Sequence, residues 1–224
     1  MRCKGVIDSM NFGGFDLESL FNNEDYIIED VKTFGEFNPK RWSETFGKSL
    51  TRNIIEAKII HTLTGLTIPL KRYSSAKDIQ VIEFAGLHSF DDKSKLLKSL
   101  LIELIPKLQQ CKIKRIDICF DYPKIPNRII KRLSSSGRES FQYKNTIYYK
   151  TAKEKKNNPK LDIKRYNKQL KDNLPQPMER LEFVFKGAYF EHITLNELDK
   201  KYLSKMEKTI NAFSGINCKI FPIS

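Results

Sequence analysis

The 224 residues are poor in the usual signatures of metal and nucleophile chemistry. Of three histidines, His61, His88 and His192, none belongs to an HxH or HExxH pattern, and the four cysteines, Cys3, Cys111, Cys119 and Cys218, contain no CxxC pair. Both absences argue against a zinc centre and for reduced thiols in a cytoplasmic protein. Without a GxxxxGK[ST] loop the chain does not read as an NTPase, and without GxSxG it does not read as an acyl hydrolase. No apolar run approaches the roughly 18 residues of a membrane helix, and the opening MRCKGVIDSM lacks the apolar core of a signal peptide. The expectation is a cytoplasmic protein with no membrane partner.

What the chain has in excess is positive charge. Forty Lys and Arg stand against 27 Asp and Glu, a formal net charge of +13, and the isoelectric point is near 9.5. Such a balance points first to a phosphate-rich partner, since each cation near a phosphate backbone releases counterions. No basic amphipathic helix with an aromatic face turns that reading toward a membrane surface. With 40% apolar residues the chain is globular, and its length suits one domain spanning residues 1–224.

Local patterns predict an α/β protein of α+β type, with a central mixed or mostly antiparallel sheet flanked by helices. Residues 1–50 are the least legible: VIDSMNF reads as a strand, NFGGF as a turn and DLESLF as a short helix opened by Asp16. A hairpin follows over 53–70, broken at Thr64-Gly65, and IQVIEFAG is a strand ending at Gly86. Leu96, Leu97, Leu100, Leu101, Leu104 and Leu108 recur at helical spacing behind Asp91 or Asp92 as cap, with Pro106 near the end. KIKRIDICFDYP is a strand stopped by Pro123, IPNRIIKRL a basic helix, FQYKNTIYYKT one strand, and the Lys-rich 150–160 stretch a mobile loop. LDIKRYNK and MERLEFVFKG read as two more strands. Residues 194–213 read as a C-terminal helix with a Thr194–Glu197 capping box.

Two strands break their own apolar pattern. Alternation puts Ile116, Ile118 and Phe120 on one face of RIDICFD and Asp117, Cys119 and Asp121 on the other. In RLEFVFK it sets Leu181, Phe183 and Phe185 against Arg180, Glu182, Val184 and Lys186. If the strands are neighbours, Asp117 and Glu182 approach closely enough to share one hard divalent ion; a sheet with one wet face explains the same alternation. In IKRYNK, Lys164, Tyr166 and Lys168 fall on one face and Ile163, Arg165 and Asn167 on the other. Tyr166 then shares its side with two ammonium groups, which suits phosphate binding and a lowered phenol pKa; an aromatic lying on a sheet surface fits equally.

Taken in order, IEFAGLHSF, RIDICFD, NTIYY, IKRYNKQLK and ERLEFVFKG resemble the Rep_trans-type initiators of rolling-circle replication from plasmids and filamentous phages. The resemblance covers about residues 79–187, and the chain departs from it where Tyr149-Lys150-Thr151 stands in place of a Gly-Ser-Arg element. It implies DNA nicking and strand joining by a tyrosine that becomes linked to the 5′ phosphate. On the matching positions, Tyr166 is the nucleophile, Lys168 contacts the scissile phosphate or leaving oxygen, and Asp117, Glu182 and Asp121 hold Mg²⁺ or Mn²⁺. Lys164, Arg165, Arg180, Lys150 and Arg115 are then contacts to DNA, as single strand or origin hairpin. A host helicase, a polymerase and a second copy of the chain are the further partners implied. A protein of the same fold that binds an origin or recombination site without cutting, and an unrelated RNA- or ribosome-associated protein, are the rival readings.

Overall fold

The computed structural model describes residues 3–15, 24–33, 54–72, 80–88, 91–151, 160–221 and 223. In chain order the strands begin with β1 (Cys3–Gly13), β2 (Tyr26–Thr33), β3 (Ile54–His61), β4 (Thr67–Arg72) and β5 (Gln80–Ala85). Helix α1 (Asp92–Leu108), strand β6 (Lys112–Tyr122) and helix α2 (Asn127–Ser135) follow. Then come β7 (Glu139–Tyr143), β8 (Thr146–Lys150), β9 (Leu161–Asn167), α3 (Lys168–Asp172), β10 (Glu179–Lys186), α4 (Lys200–Ser214) and β11 (Cys218–Ile220). The expected helix at DLESLF and the expected loop at 152–159 lie outside the described residues.

The fold is α+β, with large antiparallel sheet structure and several helices. Its contacts group into two compact units: Met1–Asp8, Arg115–Ile193 and Glu197–Ser224 form one, Ser9–Lys114 and Thr194–Asn196 the other. In the second unit the antiparallel order is β2-β3-β4-β5 and then the Ser9–Gly13 part of β1. Ile59, Ile68, Leu70, Ile82 and Phe84 are buried there, and Phe12 meets Phe84 edge to face at 6.1 Å. Helix α1 starts where Asp91 accepts a 2.7 Å hydrogen bond from the Ser94 amide. It buries Leu97, Leu100, Leu101, Leu104 and Leu108. Pro106 falls within its last turn.

The first unit carries the residues singled out by sequence. Its antiparallel order is β6-β10-β9-β8-β7, and β11 runs parallel to the start of β1. Alternation sends Ile116, Ile118 and Phe120 of β6 and Leu181, Phe183 and Phe185 of β10 into an apolar core, all at 4% exposure or less. Each such side chain contributes roughly 1.5–3 kcal/mol by leaving water. Helices α2 and α4 pack together, and α4 packs on β11. Gly215 ends α4 at φ +72°, and a β-carbon there would stand 3.1 Å from the Arg132 side chain, so both backbone and space call for glycine.

Three local expectations are corrected. FQYKNTIYYKT is a hairpin rather than one strand, because Lys144 takes φ +51° and folds Tyr143 back onto Thr146. The extended run at LDIKRYNK stops at Asn167, whose side chain accepts from the Leu170 amide at 2.9 Å and caps α3. The C-terminal helix begins at Lys200, with Asp199 as its cap. Ahead of it, the Leu195 and Asn196 amides are spent on the carbonyls of Cys111 and Gln109, so Thr194 is followed only by a short 3-10 turn, Leu195–Glu197, and not by the α-helix. Among the described residues no helix is long and apolar enough to cross a membrane.

Candidate active site

Residues paired across antiparallel strands project to the same side, so the register reads the face opposite the apolar core directly. One row runs Asp121, Arg180, Tyr166, Thr146, Tyr143 across β6, β10, β9, β8 and β7. The next runs Cys119, Glu182, Lys164, Tyr148, Phe141. A third joins Asp117, Val184 and Asp162. The acid-bearing strands β6 and β10 are therefore neighbours, and Asp117 and Glu182 are diagonal partners, a separation of roughly 7–8 Å between backbones.

This face is not wet at its centre: Asp117 is 1% exposed, Glu182 2% and Arg180 0%. Burying isolated charges costs several kcal/mol each, so each must find a partner. The Arg115 fork holds Asp117, with Nε 2.7 Å from Oδ1. Lys164 sits 2.6 Å from Glu182. Arg180 donates through Nε and Nη2 to the two oxygens of Asp121 at 2.6 and 2.7 Å, and through Nη1 to Asp8 at 2.8 Å. Asp162 is bracketed by Lys150 at 3.0 Å and Lys186 at 2.6 Å. Five carboxylates thus meet five cations, and the face is near electrical balance in a chain of net charge +13.

Tyr166 enters this network as a donor, its hydroxyl hydrogen-bonding the Glu182 carboxylate. The expected lowering of its phenol pKa is reversed. Burial, the negative charge of Glu182 and the hydrogen bond to it all raise the pKa, so the neutral phenol is the resting form. Burial works against ionised Glu182, yet the Lys164 ammonium, the Tyr166 hydroxyl and Arg180 together hold it below the usual carboxylate range. Asp117 goes the other way: burial raises it despite Arg115, and Glu182 adds to the rise. Burial likewise pushes the Cys119 thiol well up, which keeps it inert.

The remaining expected residues divide. Lys168, the first residue of α3, is buried and paired to Asp172 at 2.5 Å, so it does not continue the Lys164–Tyr166 face. The cation beside the Tyr166 ring is instead Lys171, 4.9 Å from the ring centroid. Arg165 alternates to the opposite face, in register with Leu181 and Ile147. Lys164, Arg180, Lys150 and Arg115 are brought onto the Tyr166 face, each tied to a carboxylate. Sequence reasoning missed Asp8, Asp162 and Lys171. Asp162 was within reach of the two-residue period that marked Lys164 and Tyr166; Asp8 gave no local signal.

Fold and face together define an α+β protein whose antiparallel sheet carries buried carboxylates with a half-buried tyrosine and lysine. No protein-family model and no curated protein matches the chain. Among solved structures it is similar to a rolling circle replication initiator protein from Geobacillus stearothermophilus, at 12% identity and TM-score 0.44 over 84% of this chain and 76% of that one. It is also similar to the Methanococcus jannaschii TBP, at 14% identity and TM-score 0.29 over 94% of this chain and 99% of that one.

Proposed function

We propose that the chain nicks and rejoins DNA as an initiator of rolling-circle replication of a plasmid or phage, with Tyr166 as the nucleophile. The observation that carries this reading is the hydrogen bond from the Tyr166 hydroxyl to Glu182, a carboxylate that Lys164 keeps ionised. A half-buried phenol with a charged acceptor on its proton has the parts of an activated nucleophile. As its oxygen bonds to phosphorus, the phosphorus–O3′ bond breaks, the phenol proton passes to Glu182, and the departing 3′ oxygen takes a proton from solvent. The bond count is conserved, so the 3′ hydroxyl can return and the strand can be resealed.

Mg²⁺ or Mn²⁺ fits the donor set of Asp117 and Glu182. Both are hard oxygen donors on adjacent strands, and the Glu182 charge adds to the rise of the Asp117 pKa; these two carboxylates would hold a divalent ion in place of the Arg115 and Lys164 cations now paired with them. Such an ion would polarise the phosphate and neutralise the charge that grows on it. Asp121, gripped through both oxygens by Arg180 as Asp117 is by Arg115, is the third carboxylate of the proposed set, and Arg180 positions it rather than contacting DNA. Lys164 takes over the phosphate contact otherwise given to Lys168.

The rival in which the protein binds an origin or recombination site without cutting draws on one observation: Tyr166 is held neutral in the resting network. One experiment separates the two. Supercoiled and single-stranded DNA carrying a library of origin-like sequences are incubated with protein and Mg²⁺ or Mn²⁺. Wild type is expected to give nicked product with protein on the 5′ end, Tyr166→Phe none, and Glu182→Gln at least about 100-fold less, the typical share of a general base. Binding of a preferred sequence with no nick from wild type would favour the rival.

A further inference from the structure

Beyond the buried network, the same face continues outward onto the β7–β8 hairpin and changes character. Phe141 and Tyr148 lie parallel there, with ring centroids 5.3 Å apart and planes 17° apart. Tyr143, near the turn, is 61% exposed. Cations attend the rings: Lys150 lies 5.8 Å from the Tyr148 centroid and Lys144 lies 5.7 Å from that of Tyr143. Through the register these aromatics are contiguous with the site, since Tyr148 pairs with Lys164 and Thr146 with Tyr166. Neighbouring strands are about 4.8 Å apart, which puts Phe141 within about 10 Å of the β9 row.

We infer that the β7–β8 hairpin is a base-stacking platform that seats single-stranded DNA beside Tyr166. The inference rests on the proposed function for its DNA and deepens it by naming where the strand lies. Nucleobases present flat π faces and phosphates present negative charge, and this hairpin offers flat rings with ammonium groups beside them. A duplex is excluded as the main occupant because its base faces are already covered by one another. A cross-strand aromatic pair also stabilises a hairpin by itself, so the test reads binding and not folding.

The measurement is fluorescence anisotropy of labelled oligo(dT) titrated with protein in EDTA, with Tyr166→Phe as the parent so that cutting plays no part. Tyr148→Leu and Tyr143→Leu, which keep apolar bulk and lose the flat ring, are each expected to weaken binding by roughly 10-fold or more, with the melting temperature recorded beside each. Affinity within twofold of the parent for both variants overturns the platform, as does equal affinity for a blunt duplex of the same length. Tighter binding of oligo(U) would overturn the assignment to DNA. If wild type forms no covalent adduct yet the leucine variants lose binding, the cutting reading fails and the platform stands; an adduct with unchanged binding fails the platform alone.

Discussion

Strands β6 and β10 have two largely buried faces built from opposite materials. One presents Ile116, Ile118, Phe120, Leu181, Phe183 and Phe185, the other Asp117, Cys119, Asp121, Arg180 and Glu182. The apolar face gains free energy from each side chain independently. The charged face gains little overall, because the attraction between its ions offsets the cost of taking them from water. It is also brittle, since removing one partner strands the other.

The largest effects come from breaking one ion out of the network. Arg180→Ala leaves Asp8 and Asp121 buried without their guanidinium, and a loss of about 3–5 kcal/mol is expected from denaturant unfolding. Phe183→Ala should cost a similar ~3–5 kcal/mol on the opposite face. The faces part company when the partners go together. The triple change Asp8→Leu, Asp121→Leu, Arg180→Met is expected to be neutral or stabilising by up to about 4 kcal/mol, an outcome no truncation of the apolar face can give. If the triple variant is as unstable as Arg180→Ala, the two faces do not differ in the way described.

Glu182→Gln is intermediate, because Lys164 loses its partner while reaching toward solvent. A loss of about 1.5–3 kcal/mol at neutral pH is expected. Its pH dependence sharpens the point. Glu182 is lowered in the folded state, so its contribution is present above the ordinary carboxylate value of 4.5 and is lost as pH falls through its folded value. The gap between wild type and Glu182→Gln should therefore narrow below about pH 4.5.

Tyr166→Phe is the smallest change in stability, about 1.5 kcal/mol, the low end for a hydrogen bond to a charged group, because the carboxylate keeps Lys164. Here the sign is reversed. The phenol is raised, so its contribution is present below the ordinary value of 10.0 and is lost as pH rises toward the folded value. Thermal melts between pH 9 and 11 should show wild type losing stability more steeply than Tyr166→Phe, and parallel curves would contradict the raised phenol.

Much of this was legible in the sequence because period-two alternation is local. RIDICFD and RLEFVFK announce both faces without knowledge of their neighbours. The partnerships were less legible, since they depend on register: Tyr166 meets Glu182 across 16 residues and Arg180 meets Asp8 across 172. The lowered phenol was misread for that reason. Lysines adjacent in sequence were visible, whereas the carboxylate that takes the hydroxyl proton was supplied by another strand. Lys168 was misplaced because Asn167 caps a helix that a five-residue signal does not reveal.

Tyr166 is proposed to bond to DNA. The most direct measurement is mass spectrometry of the protein after incubation with cleavable single-stranded DNA and Mg²⁺ or Mn²⁺, with the adduct mapped by proteolysis. A nucleotide is expected on the peptide containing Tyr166, linked through a 5′ phosphate and missing from Tyr166→Phe. An adduct at another tyrosine, or nicked DNA whose 5′ phosphate is free of protein, would contradict it.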